Sequence, residues 1–262
     1  MRSERNVRNE VYDAIVQEAR PGDIVFMITI GFDFPKWQRV WRRWTGQDDN
    51  DASKWHTAVY SGCRKERRSA VYRPYIVHSA EKGSKHAGTT EEHISPSYYT
   101  CARNLTTVLE IIRMNELDED QRARIVDYAR HKIGTPHDTR GWQRDFMTYV
   151  LGLPVVPRAG TISCHTLAFE AYGAVGVDFP HQTGTMPWFN PARWTGHPVG
   201  HSRDKVNLHF AYLRDHHFYN DSRFSVVLSV CRDKDHLSIV HHPEKYSWRH
   251  SDGASQPAIA HA

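Results

Sequence analysis

The sequence has no apolar run approaching the roughly 20 residues that a membrane-spanning helix needs. Its first stretch, Met1 to Val7, carries arginines with no apolar segment behind them, which excludes an ordinary secretory signal. We therefore expect the protein to be cytoplasmic as made, and any export to use a specialised secretion system. An internal repeat is also lacking, so a repeat architecture is not predicted.

Cysteine is scarce and scattered along the chain. The four cysteines are far apart and form no CxxC pair, so a zinc knuckle is not indicated, and the pattern fits a reducing compartment better than a disulfide framework. The pairs His216-His217 and His241-His242 have no spaced carboxylate or cysteine partner, so we expect surface residues rather than zinc ligands. We predict no metal and no cofactor.

A strong excess of one charge is lacking as well. The chain has 34 basic and 30 acidic residues, a balance that does not favour nucleic acid as a partner. The segment from Pro35 to Trp44 mixes arginine with tryptophan at helical spacing. We expect an amphipathic helix with an aromatic inner face, of a kind that is also able to rest on a membrane surface.

The apolar pattern that is present predicts an α+β protein. Residues 22–30, for example, form a continuous apolar run between glycines, which is typical of a buried strand. The pattern predicts helices at 4–19, 118–133 and 164–176, strands at 22–30, 55–60, 72–79, 106–113, 225–231 and 237–240, and a polar loop at 83–97.

One cysteine stands where helix geometry makes a thiol reactive. Ser163 is a good helix N-cap, and apolar residues follow it at helical spacing, so Cys164 falls in the first helical turn. Free backbone N–H groups and the positive end of the helix dipole favour the thiolate, which is the nucleophilic form. The alternative is that Cys164 is a small buried apolar residue, as most free cysteines are.

Histidines and acids occupy the edges of the predicted elements. His56 and His78 fall on neighbouring antiparallel strands, and whether their side chains meet depends on the register of pairing. Asp23 begins the first strand, where an acid caps a turn or contributes to a site. His137 and Asp138 follow a helix stop, either as an imidazole–carboxylate pair near a cleft or as part of the turn.

Five segments stand in an informative order, although each alone is a weak signal: Pro21 to Phe26, Trp55 to Tyr60, Tyr75 to Ala80, Ala129 to Asp138, and Ser163 to Tyr172. Together they resemble the NlpC-type papain-like cysteine hydrolases in their circularly permuted branch, which includes the lecithin retinol acyltransferase-like enzymes. In that branch the histidine strand precedes the cysteine helix, as it does here. The resemblance implies a papain-like fold in which an antiparallel sheet packs against the cysteine-bearing helix.

The same resemblance implies the roles of three residues. Cys164 is the expected nucleophile and His56 the base that takes the thiol proton. The position that orients the imidazole falls on His78, where some relatives carry a carboxylate, and Ser79 or Glu81 is an alternative. A thiolate–imidazolium pair of this kind attacks an amide or ester carbonyl.

Four further residues are candidates for substrate contact: Asp23, His137, Asp138 and His165. Packing is the alternative for His165, and His137 stands where relatives often have tyrosine. We expect residues 1–195 to form the catalytic domain and residues 196–262 a C-terminal extension with short strands and a frayed tail. An ordered aromatic loop is predicted from Pro187 to Pro198.

Three functions compete at this point. The leading one is a cysteine amidase or peptidase that hydrolyses bacterial cell-wall peptide, in the manner of a secreted antibacterial effector with an immunity or secretion partner. The second keeps the thiol chemistry but acts on lipid acyl groups, by hydrolysis or by transfer. The third is a papain-like shell without catalytic activity that binds a partner.

Overall fold

The structure is a computed structural model that describes residues 4–30, 54–65, 71–80, 88–94, 106–138, 159–177, 179, 218, 221–233 and 236–245. Several sequence predictions lie outside the described residues: the helix from Pro35 to Trp44, Glu81, the aromatic loop from Pro187 to Pro198, the boundary at residue 195, the pair His216-His217 and the tail from Ser247.

The described residues form an α+β arrangement, as the sequence predicts. Its helices and strands, in chain order, are α1 (Glu4–Glu18), β1 (Ile24–Ile30), β2 (Lys54–Lys65), β3 (Tyr72–Ala80), β4 (Gly88–His93), β5 (Thr106–Met114), α2 (Glu119–His131), α3 (Cys164–Gly173), β6 (Phe224–Asp233) and β7 (His236–His241). The strands build one seven-stranded sheet in the order β4-β3-β2-β1-β5-β6-β7. Every neighbouring pair in that sheet is antiparallel.

The sheet separates two hydrophobic cores, because successive side chains of a strand point to opposite faces. On β1, Ile24 and Phe26 belong to the core formed with α2 and α3, whereas Val25 and Met27 belong to the core formed with α1. We call these the α3 face and the α1 face. This double burial explains why β1 is a continuous apolar run rather than an alternating one.

The predicted helix starts are confirmed by capping groups. Asp118 and Gln121 form a capping box at the start of α2, with Asp118 accepting from the backbone N–H of Gln121 at 2.7 Å. Ser163 caps α3 and accepts from the backbone N–H of Thr166 at 3.3 Å. Cys164 is therefore the first residue of α3, as the sequence predicts.

The prediction of a polar loop at 83–97 is wrong for Gly88–His93, which form strand β4. The strand has the sequence GTTEEH, which shows no apolar alternation. Its backbone is held on the outer side by the turn after α2, where Thr89 N–H donates to the Thr135 carbonyl at 2.8 Å and Gly134 N–H donates to the Thr89 carbonyl at 2.9 Å. Gly88 is required there, because its φ is +106° and a Cβ atom would lie 2.9 Å from the Thr135 oxygen.

The C-terminal strands complete the same sheet. β6 pairs with β5, and β7 pairs with β6, as the pattern at 225–231 and 237–240 predicts. Near these strands an aromatic cluster packs α3 against β6; its members are Phe169, Tyr172, Phe179, Phe218 and Phe224. Residues 224–241 thus contribute to the core that supports α3. Among the described ranges, no helix is long and apolar enough to cross a bilayer.

A buried ion cluster at the start of β1 connects four elements. Asp23 is fully buried and accepts from Arg122 Nη1 at 2.8 Å and from Arg113 Nη2 at 2.7 Å. Arg113 also donates to the carbonyl of Glu18 at the end of α1. The cluster therefore joins α1, β1, β5 and α2, and it satisfies the carboxylate as a structural anchor requires.

We predict that Asp23→Asn destabilises the protein by about 3–5 kcal/mol, because the buried Arg122 guanidinium and the partly buried Arg113 guanidinium lose their counter-charge. Urea unfolding followed by circular dichroism measures the change. Asp118→Asn is the matched control, since asparagine also caps a helix and Asp118 is exposed. Equal losses for the two variants would contradict the role given to Asp23.

A second, more exposed ion cluster surrounds Glu91 on β4. Glu91 accepts from Arg64 at 2.6 Å and from Arg130 at 2.9 Å. Burial alone would raise the pKa of Glu91, but the hydrogen bonds from Arg130 and Arg64 outweigh burial and hold that pKa below its ordinary value. The carboxylate is thus stabilised in the folded state.

We predict that Glu91→Gln lowers the free energy of unfolding by up to about 1 kcal/mol at neutral pH. A lowered folded pKa contributes stability above the ordinary value of 4.5, and this contribution is lost as the pH falls through the folded pKa. The difference in unfolding free energy between wild type and variant should therefore be smaller at about pH 3 than at pH 7. A difference that does not shrink at low pH, or an equal effect of Glu116→Gln at an exposed position, would count against the ion cluster.

Candidate active site

Three ionisable side chains form a hydrogen-bonded row on β2, β3 and β4. His56 Nε2 lies 2.7 Å from His78 Nδ1, and His78 Nε2 lies 2.9 Å from Glu92 Oε1. The His78 side chain is 2% exposed and that of Glu92 is 27% exposed. The structure thus brings together the two histidines that the resemblance predicts. The Glu92 carboxylate is hydrogen-bonded to the second of them, His78.

The row fixes the tautomers of both imidazoles. An ionised carboxylate only accepts, so Glu92 takes a hydrogen bond from Nε2–H of His78. Neutral His78 then has an unprotonated Nδ1, which accepts from Nε2–H of His56. In neutral His56 the basic nitrogen is therefore Nδ1, and a proton gained there is balanced through His78 by the Glu92 carboxylate.

Sequence analysis did not predict Glu92, because β4 was expected to be a loop. The alternatives considered for the orienting position were Ser79 and Glu81; the structure places Ser79 on the other side of β3, and Glu81 lies outside the described residues. The pairing of β3 with β4 sets Glu92 opposite Ile76, one diagonal step from His78. The register of β3 with β4 is therefore what identifies Glu92 as the carboxylate beside His78.

Cys164 is partly exposed at the start of α3. The backbone just before it is bound to the turn that follows α2: Ile162 N–H donates to the Pro136 carbonyl at 3.0 Å, and Asp138 N–H donates to the Ile162 carbonyl at 3.1 Å. His137 and Ile162 consequently form a parallel bridge. The turn carrying His137 and the start of the cysteine helix are one connected unit.

Ser79 joins this unit to the sheet. Its hydroxyl is fully buried and donates to the Ile162 carbonyl at 2.8 Å, while its oxygen lies 2.9 Å from His137 Nδ1. Because the single hydroxyl proton goes to the carbonyl, Ser79 accepts from Nδ1–H of His137. His137 therefore has Nε2 as its basic nitrogen when neutral.

The histidine row and the cysteine helix approach the same end of β2 and β3 from opposite faces. His56 pairs with Met27, and His78 follows Val77, so strand alternation puts both imidazoles on the α1 face. Ser79 holds Ile162 on the α3 face, where α3 packs.

The remaining sequence-predicted site residues fall into two places. His165 is on the first turn of α3, where its ring lies 3.2 Å from the Ser163 hydroxyl, and Asp138 is buried beside Ile162. Asp23 lies in the ion cluster at the other end of β1, and we assign it no contact with substrate. Within the described part of the chain, no group of three or more His, Cys, Asp or Glu side chains is placed to hold a metal ion.

We predict that Ser79→Ala destabilises the protein by about 1–3 kcal/mol, because the buried Ile162 carbonyl and His137 both lose a partner. Ser225→Ala is the control, since its hydroxyl forms an exposed hydrogen bond to Asn115 and should cost less than about 1 kcal/mol. Thermal unfolding compares the two. A Ser79→Ala variant as stable as the control would show that this bond does not hold the start of α3.

A comparison of the sequence with models of known protein families finds no match, and a comparison with curated proteins finds no significant match. The relation to the permuted NlpC-type hydrolases therefore stays a prediction from the order of the five sequence segments. What the geometry adds is a thiol at a helix N-terminus and two separately oriented imidazoles at one end of the sheet.

Proposed function

We propose that this protein is a cysteine hydrolase that cleaves amide bonds through Cys164. The observation that carries the proposal is the position of Cys164 as the first residue of a capped helix, beside a turn that presents an oriented imidazole. Helix N-termini favour thiolate through unpaired N–H groups and the helix dipole. A buried structural cysteine would need neither feature.

The chemistry follows from these groups. A histidine takes the proton of Cys164, and the thiolate attacks the carbonyl carbon of the scissile bond. The backbone N–H groups at the start of α3 are suited to stabilise the negative oxygen that develops there. The imidazolium then protonates the leaving amine, and water releases the acyl group from the sulfur.

The sequence resemblance gives the base as His56 and its orienting residue as His78. Their hydrogen bond supports a shared role, since it leaves His56 with a basic Nδ1. The α3 face offers His137 as a second imidazole with a defined basic nitrogen. Any histidine base requires Cys164 as its partner, so the proposal is tested first at the thiol.

We propose bacterial cell-wall peptide as the substrate class, because the five ordered segments resemble enzymes of that kind. An exported toxin of this type would need a secretion partner, and its producing cell an immunity protein. We propose that the peptide contacts His137, Asp138 and His165, the predicted substrate residues that lie beside the start of α3.

We predict that Cys164→Ala abolishes the release of fragments from purified peptidoglycan, with a loss of at least about a thousandfold. The thiol is the nucleophile, so no other group replaces it. Mass spectrometry of soluble fragments measures the activity. Cys63→Ala is the matched control, because Cys63 is an exposed free cysteine on β2 and its removal should leave the rate unchanged.

Two outcomes would redirect the proposal. Cysteine-dependent loss or transfer of acyl chains from phospholipid vesicles, with no peptidoglycan cleavage, would establish lipid as the substrate. Inactivity on both substrates, together with a Cys164 that resists iodoacetamide at neutral pH, would leave a binding shell and overturn the assignment of an enzyme.

A further inference from the structure

Glu92 forms one end of the histidine row, on a strand whose backbone is held close to it on both sides. Glu91, the residue before it, accepts from Arg130 Nη2 at 2.9 Å. The carbonyl of Ile94, two residues after it, accepts from the Tyr12 hydroxyl at 2.8 Å. Arg130 belongs to α2 and Tyr12 to α1, so a helix on each face of the sheet holds this end of β4. The Glu92 carboxylate therefore projects from a fixed backbone.

The charge of Glu92 sets the direction of the hydrogen bonds in the row. Each imidazole has two neutral tautomers, whereas an ionised carboxylate can only accept. The Glu92 side chain is 27% exposed, and contact with water favours its ionised form. Glu92 therefore accepts from Nε2–H of His78, which leaves Nδ1 of neutral His78 to accept from Nε2–H of His56.

We infer that Glu92 is a positioning residue of the proposed hydrolase, which acts through His78 to keep Nδ1 of His56 as a proton acceptor. The inference rests on the proposed function, with His56 as the base that the resemblance gives. In that reaction the S–H bond of Cys164 breaks and an N–H bond forms at Nδ1 of His56. Nε2–H of the imidazolium stays hydrogen-bonded to His78, and the Nδ1 proton later passes to the leaving amine.

The burial of His78 makes the direction of the row consequential. The His78 side chain is 2% exposed, and its ring meets that of His56 edge to face with centroids 5.0 Å apart. A reversed row would have Nδ1 of His78 protonated and donating to Nε2 of His56. Neutral His56 would then carry its proton on Nδ1, and that nitrogen could not accept another. A carboxylate that only accepts excludes this reversal.

The test is NMR of the full chain with isotopically labelled histidine nitrogens, because their signals show which ring nitrogen carries a proton. Spectra are recorded at about pH 8, where an ordinary histidine is neutral. The key variants are Glu92→Gln, whose amide either accepts or donates and so permits both directions, and Glu92→Ala, which removes the acceptor. The signals of His56 and His78 are assigned from their loss in His56→Asn and His78→Asn.

We expect both histidines of wild type to carry their proton on Nε2. In Glu92→Gln and Glu92→Ala, part of the His56 population should carry it on Nδ1 instead, and peptidoglycan cleavage should fall about tenfold or more. Glu91→Gln is the matched control, since Glu91 is the neighbouring carboxylate on β4 and is bonded to arginines. It should leave both tautomers and the cleavage rate unchanged. Circular dichroism verifies that all variants fold.

The outcomes separate the inference from the proposed function. Wild-type His56 with its proton on Nδ1, or tautomers unchanged in Glu92→Ala, would overturn the inference and leave Glu92 a structural ion-pair partner of the same enzyme. Unchanged cleavage in a Glu92 variant whose tautomers have shifted would overturn it as well. The expected tautomers in a wild type that cleaves no substrate and whose Cys164 resists iodoacetamide would overturn the proposed function, and with it the catalytic role of Glu92.

Discussion

The alternation of side chains along β2 and β3 is the constraint on which the rest of the structure and its proposed chemistry depend. Adjacent residues of one strand, His78 and Ser79, belong to different networks: His78 joins His56 and Glu92, and Ser79 holds Ile162 and His137. Both faces of the sheet are buried, so a shift of one residue in register would exchange the two networks and bury polar groups against apolar cores.

Contacts at the other end of the sheet, around the start of β1, hold the helices in place on its two faces. Asp23 and its two arginines join α1, β1, β5 and α2, and the Tyr172 hydroxyl of α3 donates to the neighbouring Gly22 carbonyl at 2.7 Å. The cysteine helix is therefore fixed at two points, by Tyr172 near its end and by Ile162 before its start. The proposed nucleophile is thus held in place before a substrate binds, which would lower the entropic part of the reaction barrier.

Much of the fold was predictable, because capping residues and apolar runs act locally. The cap at Ser163, the box at Asp118 and the strand at 22–30 follow directly from the residues themselves. β4 was not predictable, since its residues are polar and the strand exists through pairing with β3 and with the turn after α2. Glu92 was missed for the same reason, and the face of each histidine depends on a register that no single segment encodes.

The most direct measurement is a crystal structure of the protein with a peptide aldehyde bound. An aldehyde of this kind adds to a catalytic thiol, and the adduct retains the carbonyl oxygen next to the groups that act on it. We predict a bond from the aldehyde carbon to Cys164 Sγ, with a histidine ring nitrogen at hydrogen-bond distance from the adduct or the sulfur. A Cys164 that remains unmodified, or an adduct formed at another residue, would contradict this account.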